Sequence, residues 1–327
     1  MSATLTFTTA LLLILGLARS GAADTLLIAD KTDHKLIYLD TRTGAVTRAV
    51  AVGENPHEVA VSRDGRLAFV ANPGSNTVSI VDIASGAERK RLRSELFGFP
   101  HGMAVHPDGR TVYLTSEQKR LLIALDARTQ EIAKQLSTEM EGSHMVVLSP
   151  DGGRAYITDR GSARVTVVDT AAWTIVTHVP AGDGVEGIAL SPDGRLLVVA
   201  NRNDDNVHFI DTAALKPDGT VGVGRGPVRV ACSPDGRLAL VTHRAGGDVH
   251  VIDLATRKVT ARVPVGAEPG GMAFSPDGRR AFVANTGAGS ISVLDLGTMK
   301  VLHTWPAGKG PDGITMIPTP RSPSDDR

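Results

Sequence analysis

The chain has 327 residues with 35 basic and 35 acidic side chains, so no net charge recruits nucleic acid or an anionic membrane surface. Aromatic residues make up only 4% of it, too few for a base-stacking surface. A single cysteine, Cys232, excludes an internal disulfide, Cys-rich metal sites and the C-x-x-C-H attachment of a c-type haem.

Residues 1–23 read as an export signal. Leu11 to Leu17 is a short apolar core, and Ser20-Gly21-Ala22-Ala23 offers small residues for cleavage, although Met1 to Thr9 lacks the usual Lys or Arg. The run is shorter than the roughly 20 apolar residues of a membrane span. The mature chain is therefore expected to be periplasmic or secreted with no integral membrane span, an uncleaved anchor being the alternative.

Three alternating apolar runs follow: Leu26–Ala29, Leu36–Leu39 and Val46–Val52. Then a repeat sets in. Ser62-Arg63-Asp64-Gly65-Arg66 returns around Asp108, Asp151, Asp193, Asp235 and Asp277, spacings of 44, 43, 42, 42 and 42 residues. Each unit holds an apolar run, the Pro-Asp-Gly turn, a second run such as Leu196–Ala200, a polar loop, and a third run closed by aspartate. A fourth run leads into the next unit. Four short strands per unit make a propeller blade. The lone run Gly313–Met316 completes the three strands at the start, which gives a seventh blade. The expectation is an all-β fold: a seven-bladed β-propeller of four-stranded blades over residues 24–317, closed by N-terminal strands pairing with the C-terminal strand. The Pro/Ser/Asp-rich residues 318–327 are expected to be a disordered tail.

The second strands read Phe69-Val70-Ala71-Asn72, Tyr156-Ile157-Thr158-Asp159, Val198-Val199-Ala200-Asn201 and Phe282-Val283-Ala284-Asn285. In this the chain resembles the YVTN-repeat propeller family of lactonase-like and surface-layer-type propellers, over nearly all of residues 24–317. The resemblance implies the fold. For function it implies several options, lactonase-like enzymes, copper- and haem-bearing reductase domains and binding proteins, and does not choose among them.

The repeat itself separates scaffold from site. Asp40, Asp82, Asp126, Asp169, Asp211, Asp253 and Asp295 close the third strand of all seven blades and are read as turn residues. The residue opening each innermost strand varies instead: His57, His101, His144, Glu186, Val228, Gly270 and Asp312. Three imidazoles and a carboxylate from consecutive blades are a ligand set for Zn, Cu, Mn or Fe, so His57, His101, His144 and Glu186 are the candidate metal ligands. Glu58 is expected to alternate to the other face. Arg160, Arg202 and Arg244 share one repeat position, and with Arg229, Asp312 and the more peripheral His243 they are candidates for binding an anionic ligand. His208 and His250 look ordinary, and Phe97 and Phe99 are candidates either to roof the pocket or to fill a gap between blades. Turn chemistry at Pro56-His57 and Pro100-His101, and a solvated rim for the arginines, are the plainer readings.

The functional expectation is an exported propeller that binds a small anionic ligand and a divalent transition metal at the channel mouth. A metal-dependent hydrolase, lactonase or lyase using that site is one alternative, with no catalytic residue assigned. A scaffold that docks a protein partner is the other.

Overall fold

The repeated turn is closed by its own side chains. Ser191 Oγ donates to Asp193 Oδ1 at 2.6 Å and accepts from the Leu196 N–H at 3.0 Å, while Asp193 Oδ1 accepts from the Arg195 N–H at 3.1 Å. The same knot recurs at Ser62, Ser233 and Ser275. Gly194 sits at φ 73°, a left-handed value that a Cβ would resist. The strand-closing aspartates act as expected: Asp211 Oδ1 accepts from the Ala213 and Ala214 N–H groups at 2.8 and 2.7 Å.

The computed structural model describes residues 25–317, so the expected export signal (1–23) and the expected disordered tail (318–327) lie outside the described residues. Twenty-eight strands, β1 to β28 in chain order, form seven four-stranded antiparallel sheets, and no helix occurs among the described residues. With the blade that holds β1 as blade 1 and the others following in chain order, blade 5 runs from the channel outward as β16 (Val185–Leu190), β17 (Leu196–Asn201), β18 (Asn206–Asp211) and β19 (Lys216–Gly222).

The middle strands are apolar on both faces because each sheet packs against two neighbours. In β1 (Thr25–Asp30), Leu27 packs toward one adjacent blade with Val59 and Val70, while Leu26 and Ile28 pack toward the other with Phe282 and Ile291. Seven such clusters, one per blade interface, make up the core. Cys232 lies at the edge of one of them, its thiol pushed up to about 12 by burial, as expected of a packing residue. The outermost strands are the most exposed of each blade.

Ring closure follows the predicted scheme. β28 (Pro311–Met316) pairs with β1 in the register Leu26↔Met316, Leu27↔Thr315 and Ile28↔Ile314, and β2 (Lys35–Asp40) and β3 (Val46–Ala51) complete the sheet. Asp30, fully buried, locks the junction: its carboxylate accepts from the Gly310 N–H at 2.9 Å and the Lys309 N–H at 3.2 Å.

Candidate ligand site at the channel mouth

The seven residues that open the innermost strands all line one cavity of about 110 Å³: His57, His101, His144, Glu186, Val228, Gly270 and Asp312. Arg160, Arg202, Arg229 and Arg244 line it too, as do Lys31 and Phe99. Inner strands come this close because small residues separate them. A Cβ on Gly313 would stand 2.1 Å from the His57 carbonyl oxygen.

The three histidines stack around the mouth. His101 lies 3.8 Å from His144 and 4.9 Å from His57 between ring centroids, and Phe99 stacks on it at 6.0 Å with a 15° tilt. Phe99 thus roofs the pocket, whereas Phe97 fills the core between blades 2 and 3. His101 and His144 are buried, and His57 Nδ1, His101 Nδ1 and His144 Nε2 have no hydrogen-bond partner. Burial lowers the pKa of all three imidazoles, most of all that of His101, whose two histidine neighbours add to the effect. They stand neutral at neutral pH.

Carboxylates and cations surround them. His144 Nδ1 bonds Glu117 Oε2 at 2.7 Å, and its Nε2 lies 4.0 Å from Glu186 Oε1. Glu186 in turn lies 3.4 Å from Arg202 and 3.8 Å from Arg160. Asp312 sits 3.0 Å from His57 Nδ1, outside hydrogen-bond geometry, and 3.3 Å from Lys31 Nζ. Burial alone would raise the Asp312 pKa, but His57, Lys31 and Arg229 hold it well below the usual carboxylate range. Deeper in the channel, Arg229 reaches from blade 6 to Glu58 of blade 2, and its Nη1 lies 3.2 Å from Met145 Sδ of blade 4. Burial pushes Glu58 up to about 7 against the pull of Arg229.

Several of these residues depart from the sequence expectation. Glu58 does not alternate away: the His57 N–H bonds the Ala71 carbonyl while Glu58 also pairs with Ala71, a local bulge that turns consecutive side chains into the channel. Lys31 and Glu117 were missed, although both occupy the repeat position of Arg160, Arg202 and Arg244. Arg244 lies at the rim, paired with Glu268 at 3.1 Å. His243 is not part of the cavity lining and packs against His250 instead. No three of His57, His101, His144 and Glu186 bring one ligand atom each within 4.8 Å of one another. Among the described residues, the three-donor group whose ligand atoms all lie within 4.8 Å of one another is His243, Asp248 and His250. His57, His101, His144 and Glu186 are drawn together in the pocket, but two of the imidazoles face carboxylate partners rather than a common centre.

The fold and this pocket define a seven-bladed propeller with a polar, cation-rimmed channel mouth. Residues 51–214 match the lactonase, 7-bladed beta-propeller family, and the chain belongs to that family. Residues 227–322 match the cytochrome D1 heme domain. The chain is 32% identical over 137 residues to the seven-bladed beta-propeller protein Rv1057 of Mycobacterium tuberculosis (strain ATCC 25618 / H37Rv), a match covering 40% of this chain and 33% of that relative. Among solved structures it is similar to Kuenenia stuttgartiensis hydrazine synthase, with 25% identity and a TM-score of 0.76 over 83% of this chain and 92% of that one. A functionally unknown protein from Desulfotomaculum acetoxidans DSM 771 shares the fold at 13% identity and a TM-score of 0.77, covering 89% and 98% of the two chains. So does dihydro-heme d1 dehydrogenase NirN in complex with DHE, at 17% identity and a TM-score of 0.69, covering 90% and 76%.

These matches correct the cofactor expectation. Excluding a c-type haem was overturned by the cytochrome D1 heme domain match across residues 227–322. The physical reason is that a lone cysteine rules out thioether attachment only, whereas haem iron is also held through axial histidine.

Proposed function

We propose that the chain binds a small carboxylate-bearing anion at the channel mouth, with His144 poised to move a proton on it. One observation carries this reading: buried imidazole nitrogens without partners line a cavity that Lys31, Arg160, Arg202 and Arg229 also line. Guanidinium groups grip carboxylates through paired N–H donors. With its Nδ1–H donated to Glu117, His144 keeps the Nε2 lone pair toward the cavity, as a general base requires. The imidazolium formed by proton uptake would be stabilised by Glu117 and Glu186. The apolar run near the N-terminus supports action outside the cytoplasm.

Hydrolysis of a cyclic ester is a second reading, favoured by family membership. The matched segment contains His57, His101, Glu117, His144, Arg160, Glu186 and Arg202. His144 would take the proton of the attacking water, and the arginines would hold the carboxylate that ring opening creates. A haem-related ligand is a third reading, favoured by the C-terminal match. Unpartnered imidazoles are its axial ligand type and rim cations suit its carboxylates. A cavity of about 110 Å³ takes a small acid and does not enclose a macrocycle, so such a ligand would lie across the rim.

The test is a thermal-shift and calorimetric panel of mono- and dicarboxylates, lactones and an iron tetrapyrrole, run on the parent and on R160M/R202M. Carboxylate affinity should fall at least about tenfold in the variant, since each charge-assisted hydrogen bond contributes about 1.5–3 kcal/mol. Lactone turnover should be lost in H144Q. A parent that no carboxylate stabilises, or a variant that binds equally well, removes the proposal.

A further inference from the structure

Blade 6 departs from blades 2 and 7 at three positions that touch one another. Its second strand β21 (Leu238–His243) ends on His243, and its third strand β22 (Asp248–Asp253) opens on Asp248 and carries His250. In blades 2 and 7 the same positions hold Asn72, Thr77, Ser79 and Asn285, Ser290, Ser292. There the amide is satisfied locally. Asn72 Nδ2 donates to Thr77 Oγ1 at 3.2 Å and Ser79 Oγ at 3.0 Å, and Asn285 Nδ2 donates to Ser290 Oγ at 3.1 Å and Ser292 Oγ at 2.9 Å. These two blades thus close the position with a neutral, hydrogen-bonded knot that buries well.

Blade 6 gives that solution up. His243 is fully buried and neither of its ring nitrogens has a hydrogen bond, a state that stability alone disfavours by about 1–3 kcal/mol. His250, 1% exposed, stacks on it at 4.0 Å. Asp248 joins them: its Oδ1 lies 3.4 Å from His243 Nδ1 and its Oδ2 lies 3.2 Å from His250 Nε2.

We infer that His243, Asp248 and His250 form a binding site for a divalent transition-metal ion, separate from the channel pocket. Two imidazoles and a carboxylate are the protein ligands of an open zinc-type site, whose fourth position takes water. The two imidazoles approach different oxygens of the one carboxylate, at 3.4 and 3.2 Å, and one ligand atom from each of the three residues lies within 4.8 Å of the others, close enough to converge on a single ion. Asp248 is the partly exposed member and the way in for the ion. Coordination through His250 Nε2 puts the proton on Nδ1, so the 3.2 Å bond that Nδ1 accepts from the Gly224 N–H opens on binding.

The experiment is equilibrium dialysis of the full, untagged chain against zinc, with cobalt(II) absorption as the reporter of coordination. The variant H243N/H250S restores the Asn and Ser that blades 2 and 7 carry at those two positions, so it should keep its circular dichroism and cooperative melt. The parent should hold about one ion per chain, H57A/H144A should hold the same, and H243N/H250S should fall to background. A parent that takes up neither zinc nor cobalt overturns the assignment. So does an ion retained by H243N/H250S or lost from H57A/H144A. Because the channel residues are untouched in H243N/H250S, failure here leaves carboxylate binding at the mouth unaffected.

Discussion

Arg229→Met tests whether the channel-spanning ion pair holds the ring's centre together. Arg229 and Glu58 are both largely buried, and they join blades 6 and 2 across the channel. Removing the guanidinium leaves a buried carboxylate without its partner, a change that costs about 3–5 kcal/mol. At roughly 2 °C per kcal/mol for a chain of this size, the midpoint should drop by about 6–10 °C. The cost should also depend on pH. Glu58 is raised above its unfolded value of 4.5 to about 7 with Arg229 present, and without it the pKa rises further. A group raised in the folded state loses stability as pH climbs toward its folded pKa, so above pH 7 only the variant continues to lose, by up to about 1.4 kcal/mol per unit. Thermal melts of the parent, R229M, E58Q and R229M/E58Q at pH 6 and 8.5 measure this. The double variant should recover most of the R229M loss, because no buried charge is stranded. If the double variant is as unstable as R229M, and the R229M penalty is the same at both pH values, the reasoning is refuted.

Other consequences can be checked on the same melts. His101 is neutral in the folded state with its pKa well below 6.5, so the unfolded chain binds more protons as pH falls; relative to H101F, the parent should lose up to about 2 kcal/mol between pH 6.5 and 5, and parallel profiles would contradict this. Gly313→Ala drives a Cβ into the His57 carbonyl and should cost more than about 3 kcal/mol, read as a lower denaturant midpoint with an unchanged slope. Asp30→Ala leaves the Lys309 and Gly310 N–H groups without their acceptor, which should cost about 1–3 kcal/mol for the buried Gly310 group in the same denaturant titration.

The fold was legible because the propeller repeats its own evidence. Six Asp-Gly turns, five of them preceded by proline, and seven strand-closing aspartates fix the period, and the joined ends supply the seventh blade. The pocket was legible for the same reason: the position that opens each inner strand maps onto a ring around the channel, whatever residue fills it. Lys31 and Glu117 were less legible because no single residue type marks their repeat position, which also holds Pro73, Arg160, Arg202, Arg244 and Thr286. Glu58 escaped for a geometric reason, since strict alternation fails where one Ala71 faces two residues. The His243–His250 contact was hidden because the two lie on adjacent strands, seven positions apart, and only the hairpin register brings the rings together.

Closure by β28 also sets a clock on biosynthesis. The bond between Asp30 and Gly310 spans 280 residues of chain. At translation rates of about 5–20 residues per second, β1 waits roughly 15–60 s for its partner to emerge. Six blades can stack during that interval, but Leu26 to Ala29 presents a bare apolar edge until the last strand arrives. The ring's final stability is therefore acquired in one late step, and whatever shields that edge beforehand decides how much of the newly made chain reaches it.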